Sequence, residues 1–248
     1  MSVEVAPATH AHGHHGDVAH QYEQIDQQNE SYIVGMWTFL VTEIMFFGAL
    51  FLCYTLYRSQ APGVFFEISR HVLNVPLGAL NTTFLLTSSF SMALAVYHAQ
   101  QKNRNLQLLF LAITIAFSCG FLVIKGFEWA EKFHDHHVMG PDFHYDAPLP
   151  DRAHIPPKTA AGKDVGYEFQ VHDYQAQMYF CLYFGMTGLH AVHVIIGMIV
   201  MSILWIMIFR RHRAVQYYMP VEMTGLYWHF VDIVWIFLFP LFYLIPHP

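Results

Sequence analysis

Gly225-Leu226-Tyr227-Trp228-His229-Phe230-Val231-Asp232-Ile233-Val234-Trp235-Ile236-Phe237-Leu238-Phe239 is apolar enough to lie in a membrane helix, yet it carries a histidine and an aspartate three residues apart. At 3.6 residues per turn, His229 and Asp232 fall on one side of such a helix. An aspartate at the bilayer centre costs roughly 2.5–3.5 kcal/mol on insertion scales, so this side is expected to face other helices. Partners are offered by Thr187-Gly188-Leu189-His190-Ala191-Val192-His193, where His190 and His193 also share a side, and by the first apolar segment, whose only charge is Glu43. The spacing predicts a bundle built around a buried polar cluster of Glu43, His190, His193, His229 and Asp232.

Composition agrees with a membrane setting. Of 248 residues, 55% are hydrophobic, 17% aromatic and 12% charged, whereas soluble domains carry about 25% charged residues. The net charge of −6 is spread without a basic stripe, which excludes nucleic-acid binding. Cys53, Cys119 and Cys181 fall in three separate apolar segments. With no CxxC or CxxxC, neither a zinc site nor a thiolate-bridged copper centre is offered, and the thiols read as small buried hydrophobes. No phosphate loop and no nucleophile–base constellation is found. The first 31 residues are polar, without Lys or Arg, so no signal peptide is expected there and the first membrane helix serves as its own insertion signal.

The predicted fold class is all-α, a polytopic membrane helix bundle. Its five transmembrane helices span about 32–57, 73–98, 106–129, 176–209 and 223–245. Residues 1–31, with His10, His12, His14, His15 and His20, read as a flexible tail. Residues 130–175 read as a long extramembrane cap between helices three and four, since Pro141, Pro148, Pro150, Pro156 and Pro157 interrupt any helix. Trp37, Tyr54 and Tyr57 suit an aromatic belt. Asn81, Thr82, Thr87 and Ser88 are placed for interhelical polar contacts. Lys125, Glu128 and Lys132 have helical pair spacing and read as helix-end, interfacial ion pairs. Lys102, Arg104, Arg210, Arg211 and Arg213 outnumber Arg58 and Arg70 in the opposite short loop. The N-terminus is therefore expected in the cytoplasm, with the cap and the C-terminus outside.

Three functional readings stay open from the residues alone. The histidines could ligate heme, although His190 and His193 on one side cannot take both axial positions of a single heme. Glu43, the histidines and Asp232 could form a relay in a proton or ion transporter, but internal repeats and broken helices are not found. The third reading is an accessory subunit whose polar groups cross-link its own bundle.

Several segments, in order, resemble subunit III of the heme-copper respiratory oxidases, in a short five-helix form of the cytochrome c oxidase subunit. They are Thr42-Glu43-Ile44-Met45-Phe46-Phe47, Leu80-Asn81-Thr82, Phe127-Glu128-Trp129, Thr187-Gly188-Leu189-His190 with His193-Val194-Ile195-Ile196-Gly197, and Tyr227 to Trp235. Ala191 replaces a usual glycine, and Trp129 stands where tyrosine is common. Segments matching the first two helices of the seven-helix form are not found. The resemblance implies an accessory subunit binding no metal or redox cofactor, with hemes and copper in partner subunits I and II and phospholipid bound at its surface. Such a complex reduces oxygen to water and pumps protons in aerobic respiration, and subunit III supports subunit I stability and proton uptake. Cytochrome c is the implied donor, in a bacterial cytoplasmic membrane and in reach of a cytochrome bc-type or alternative complex. The alternatives are a quinol oxidase and a nitric-oxide-reductase-associated homologue.

Overall fold

The computed structural model describes residues 25–134, 165–212, 215 and 218–244. All its described elements are helices: α1 (Ile25–Gln60), α2 (Pro62–Val72), α3 (Val75–Gln100), α4 (Arg104–His134), α5 (Val165–Phe209) and α6 (Met219–Tyr243). Five of them, all but α2, are long and apolar enough to cross a membrane, which marks a multi-pass membrane protein. The histidines of residues 1–24, and most of the 130–175 cap, lie outside the described residues.

The helices differ from the predicted spans at their ends and in one connection. α1 begins at Ile25 rather than 32, because polar residues outside the hydrocarbon do not oppose helix. Asp26 favours the positive helix start, and Gln28 Nε2 donates to Tyr32 OH at 3.1 Å, one turn on. α4 and α5 likewise run past the apolar stretches, so residues 130–134 and 165–175 are helical rather than part of the cap. The connection after α1 is itself a helix. Pro62 opens α2 at a position where its missing N–H is harmless. Val64, Phe65 and Ile68 then bury one face of it, an amphipathic pattern at helical spacing.

α6 is the hub, packing on α1, α2, α3 and α5. Its indoles reach α3: Trp228 Nε1 donates to Ser88 Oγ and Trp235 Nε1 to Thr82 Oγ1, both at 3.1 Å. Thr82 and Ser88 thus make interhelical contacts. Thr87 instead donates to Thr83 O of its own helix, facing outward, and Asn81 is fully buried with neither amide atom bonded among the described residues. At the other end, the orphan carbonyls of the last α6 turn are taken by neighbours. Tyr54 OH donates to Leu241 O at 2.6 Å and Ser69 Oγ to Phe242 O at 2.5 Å. Tyr54 is therefore a core residue capping α6, not a member of an aromatic belt, while Trp37 stays exposed.

Close approach depends on small residues. A Cβ on Gly197 of α5 would stand 2.9 Å from the Trp228 ring, whereas one on Gly126 of α4 meets nothing within 4 Å. Gly197→Ala is expected to destabilise the bundle by roughly 1–3 kcal/mol, the usual cost of overpacking. Gly126→Ala is expected to be neutral or slightly stabilising. Thermal denaturation of the two variants in the same detergent checks both outcomes.

Candidate functional site

The densest polar cluster lies where α4, α5 and α6 meet. Lys125, Glu128 and Lys132, one turn apart near the end of α4, are 3%, 4% and 3% exposed, so the ion pairs of this helix end are buried within the bundle. Glu128 Oε2 lies 3.1 Å from Lys125 Nζ, and Oε1 lies 3.3 Å from Lys132 Nζ. Tyr183 of α5 and Tyr243 of α6 donate to Oε1 at 2.5 and 2.6 Å. Lys125 Nζ donates in turn to the same two hydroxyls, at 3.0 and 2.7 Å. Its three protons therefore meet three acceptors, and its charge also sits over the Tyr183, Trp235 and Tyr243 rings at 5.1–5.3 Å. Such completeness is what a buried ion pair requires, because desolvation otherwise outweighs the Coulomb gain. Sequence reasoning found the α4 charges from their spacing. It missed the tyrosines, which lie 58 and 118 positions away from Lys125 and look like ordinary aromatic residues of an apolar run.

The predicted cluster of Glu43, His190, His193, His229 and Asp232 does not form as one unit. Residues three apart on a helix sit about 60° from eclipsed, and in a tight bundle that is enough to face different neighbours. His193 points to α1, with Nε2 at 3.2 Å from Glu43 Oε2. Its Nδ1 is 2.8 Å from Leu189 O. A carbonyl only accepts, so a hydrogen bond there is donated by Nδ1. His229 turns to α3, its Nδ1 at 2.7 Å from Ser89 Oγ. His190 stacks on Trp235 at 5.2 Å and meets the Phe121 edge. Neither nitrogen of His190 makes a hydrogen bond among the described residues, and Asp232 lies beside Ser89 of α3 with no histidine bonded to it. The expectation that the histidines would hold Asp232 is thus not met.

Beside His229, a groove of about 410 Å³ between α1 and α6 is walled almost wholly by apolar side chains such as Trp37, Phe47, Phe51 and Phe237. Among the described residues, no group of three or more His, Cys, Asp or Glu could hold a metal ion.

Comparisons with known proteins agree on one family. The sequence model for cytochrome c oxidase subunit III matches residues 163–246. The cytochrome c oxidase subunit 3 of Aepyceros melampus is 30% identical over 83% of this chain and 66% of its own length. The probable quinol oxidase subunit 3 of Staphylococcus saprophyticus is 25% identical over 92% of this chain and 97% of its own. The heme-copper oxidase subunit I+III of Aeropyrum pernix is 29% identical over 85% of this chain, which spans only 22% of that longer protein. With motifs, helix order and relatives in agreement, the chain belongs to the heme-copper oxidase subunit III family.

Proposed function

We propose that the chain is a non-catalytic subunit of a proton-pumping oxygen reductase, seated against subunit I and supporting its stability, proton uptake and lipid binding. The observation that carries this reading is the Lys125–Glu128–Lys132 network, in which polar groups from α4, α5 and α6 satisfy one another. Charges committed in this way hold helices together. The Aeropyrum pernix relative, named as subunit I+III, supports seating against subunit I, and subunit II is the further proposed partner. The Glu43–His193 pair, whose side chains are 19% and 15% exposed, is the proposed point of support for proton uptake. Hemes and copper are assigned to the partner subunits. Cytochrome c is the proposed donor. A quinol donor is the second reading, favoured by the Staphylococcus saprophyticus relative, and comparing cytochrome c with quinol as reductant for the purified complex separates the two.

The reading sets an order among variants. Glu128→Gln leaves two buried lysines uncompensated and is expected to cost roughly 3–5 kcal/mol, with loss of this chain from the complex. Asp232→Asn strands no partner and is expected to shift stability by less than about 1 kcal/mol. Glu43→Gln keeps a hydrogen-bonding side chain toward His193. It is expected to give normal subunit stoichiometry and a normal initial rate of oxygen consumption, with activity decaying sooner over many turnovers. Subunit stoichiometry, heme content, initial rate and decay of the purified complexes check each outcome. An abolished initial rate in Glu43→Gln at normal heme content would overturn the accessory reading.

The N-terminus, the α3–α4 turn and the α5–α6 turn are proposed to lie in the bacterial cytoplasm. Lys102, Arg104, Arg210 and Arg211 sit in those two turns, and basic short loops favour that side. Single cysteines at Asn103 and Thr159, with Cys53, Cys119 and Cys181 replaced, are expected to label oppositely in intact cells. An impermeant maleimide should reach position 159 and not 103.

A further inference from the structure

The two turns that join the membrane helices at one end of the bundle are built alike. After α3, Asn103 N donates to His98 O and Lys102 N to Ala99 O. After α5, His212 N donates to Met207 O and Arg211 N to Ile208 O. Each set is a paired 6→1 and 5→2 closure, a motif that places one residue in the left-handed region and is usually completed by glycine. Here that residue is Lys102, with φ 59°, and Arg211, with φ 54°. These are the two non-glycine residues with positive φ among those described, and both are long cations in a conformation that strains a side chain bearing a Cβ.

The two turns face each other across a cavity of about 270 Å³. Arg104 braces them: its Nε and Nη2 donate to Ile208 O and Phe209 O at 3.1 and 2.6 Å. Its charge is therefore committed to the α5 carbonyl end. The cavity is lined by Lys102, Arg211 and His212 together with the apolar Ala99, Ile208 and Val215. A more open recess beside it, shared by Lys102 and Arg211, is lined by residues of the first turn of α4, whose positive dipole end favours an anion. No carboxylate lines either space among the described residues. Both turns terminate helices long and apolar enough to cross a membrane, which would bring the cavity to about the depth of lipid headgroups.

We propose that this cavity binds the phosphate of an anionic phospholipid, with Lys102 and Arg211 as the charged contacts and Ala99, Ile208 and Val215 against the glycerol and upper acyl carbons. Free inorganic phosphate shares the charge chemistry but has nothing to place on the apolar wall. The site goes beyond the general lipid support proposed above by fixing its position and headgroup class. It stands whether or not the chain assembles with an oxidase.

The test uses the full chain, and separately the purified complex, exchanged into mixed micelles of phosphatidylglycerol and phosphatidylcholine, with retained lipid counted by native mass spectrometry. The variant is Lys102→Gly with Arg211→Gly, which removes both charges while giving each turn the residue its backbone favours. If the two cations served the turns alone, this variant would be at least as stable and would retain lipid as the native chain does, which would overturn the proposal. The expected result is unchanged or raised thermal stability with a weakened preference for phosphatidylglycerol, about five-fold per charge removed. Equal retention of the two lipids by the native chain would also overturn it. So would displacement of phosphatidylglycerol by inorganic phosphate, since the site would then take a soluble anion. Assembly is read in the same samples from subunit stoichiometry, so failure of the accessory role is distinguished from failure of the site.

Discussion

Glu128 sits between two ammonium groups and beneath two phenols, and three helices meet because that carboxylate is shared. In a medium that offers no water, an ion must find all of its hydrogen bonds within the protein or the helix carrying it is expelled. Lys125 and Lys132 satisfy part of that demand from one turn away, but only Tyr183 and Tyr243, from α5 and α6, complete it. The network therefore fixes the azimuth of α4 as well as its neighbours. Rotating α4 by one residue, about 100°, would turn the charges toward lipid.

The same constraint explains why α6 is the centre. Its two indoles each carry one donor that must be met, and α3 supplies hydroxyls at positions 82 and 88, close to two turns apart, to receive them. Its last carbonyls, beyond Pro240, cannot be met from within the helix, and α1 and α2 provide Tyr54 and Ser69. Half of the α6 spanning window is buried, against 17% for α1. That contrast follows from where the obligatory donors and acceptors lie, because lipid is as good a neighbour as Leu for an apolar face.

Much of this fold was legible beforehand. Runs of more than twenty apolar residues set off by charged turns gave five spans, and the residues of the opening stretch marked an inward-facing helix. The ends of the helices were less legible, because polarity marks where hydrocarbon stops and not where helix stops. α2 was hidden because Pro62, Gly63 and Arg70 read as a connection while its apolar face was only three residues deep. The belt assignment of Tyr54 failed for a related reason: an amphipathic ring suits an interface and a helix cap equally well.

The sequence by itself determined the fold class, the family and the α4 charge triplet, since each rests on contiguous residues or on spacing within one helix. Tertiary structure alone decided what those polar groups do. Whether His193 meets Glu43, His229 meets Ser89 or a tyrosine completes the bonding of Lys125 depends on rotations of helices about their own axes, which one-dimensional spacing leaves undetermined. Two residues three apart share a side in the sequence and still face different helices in a bundle, because 60° of divergence spans the angular gap between one packed neighbour and the next. The buried polar groups were visible as residues, and their pairing became a property of how five helices fit around the aromatic side chains of α6.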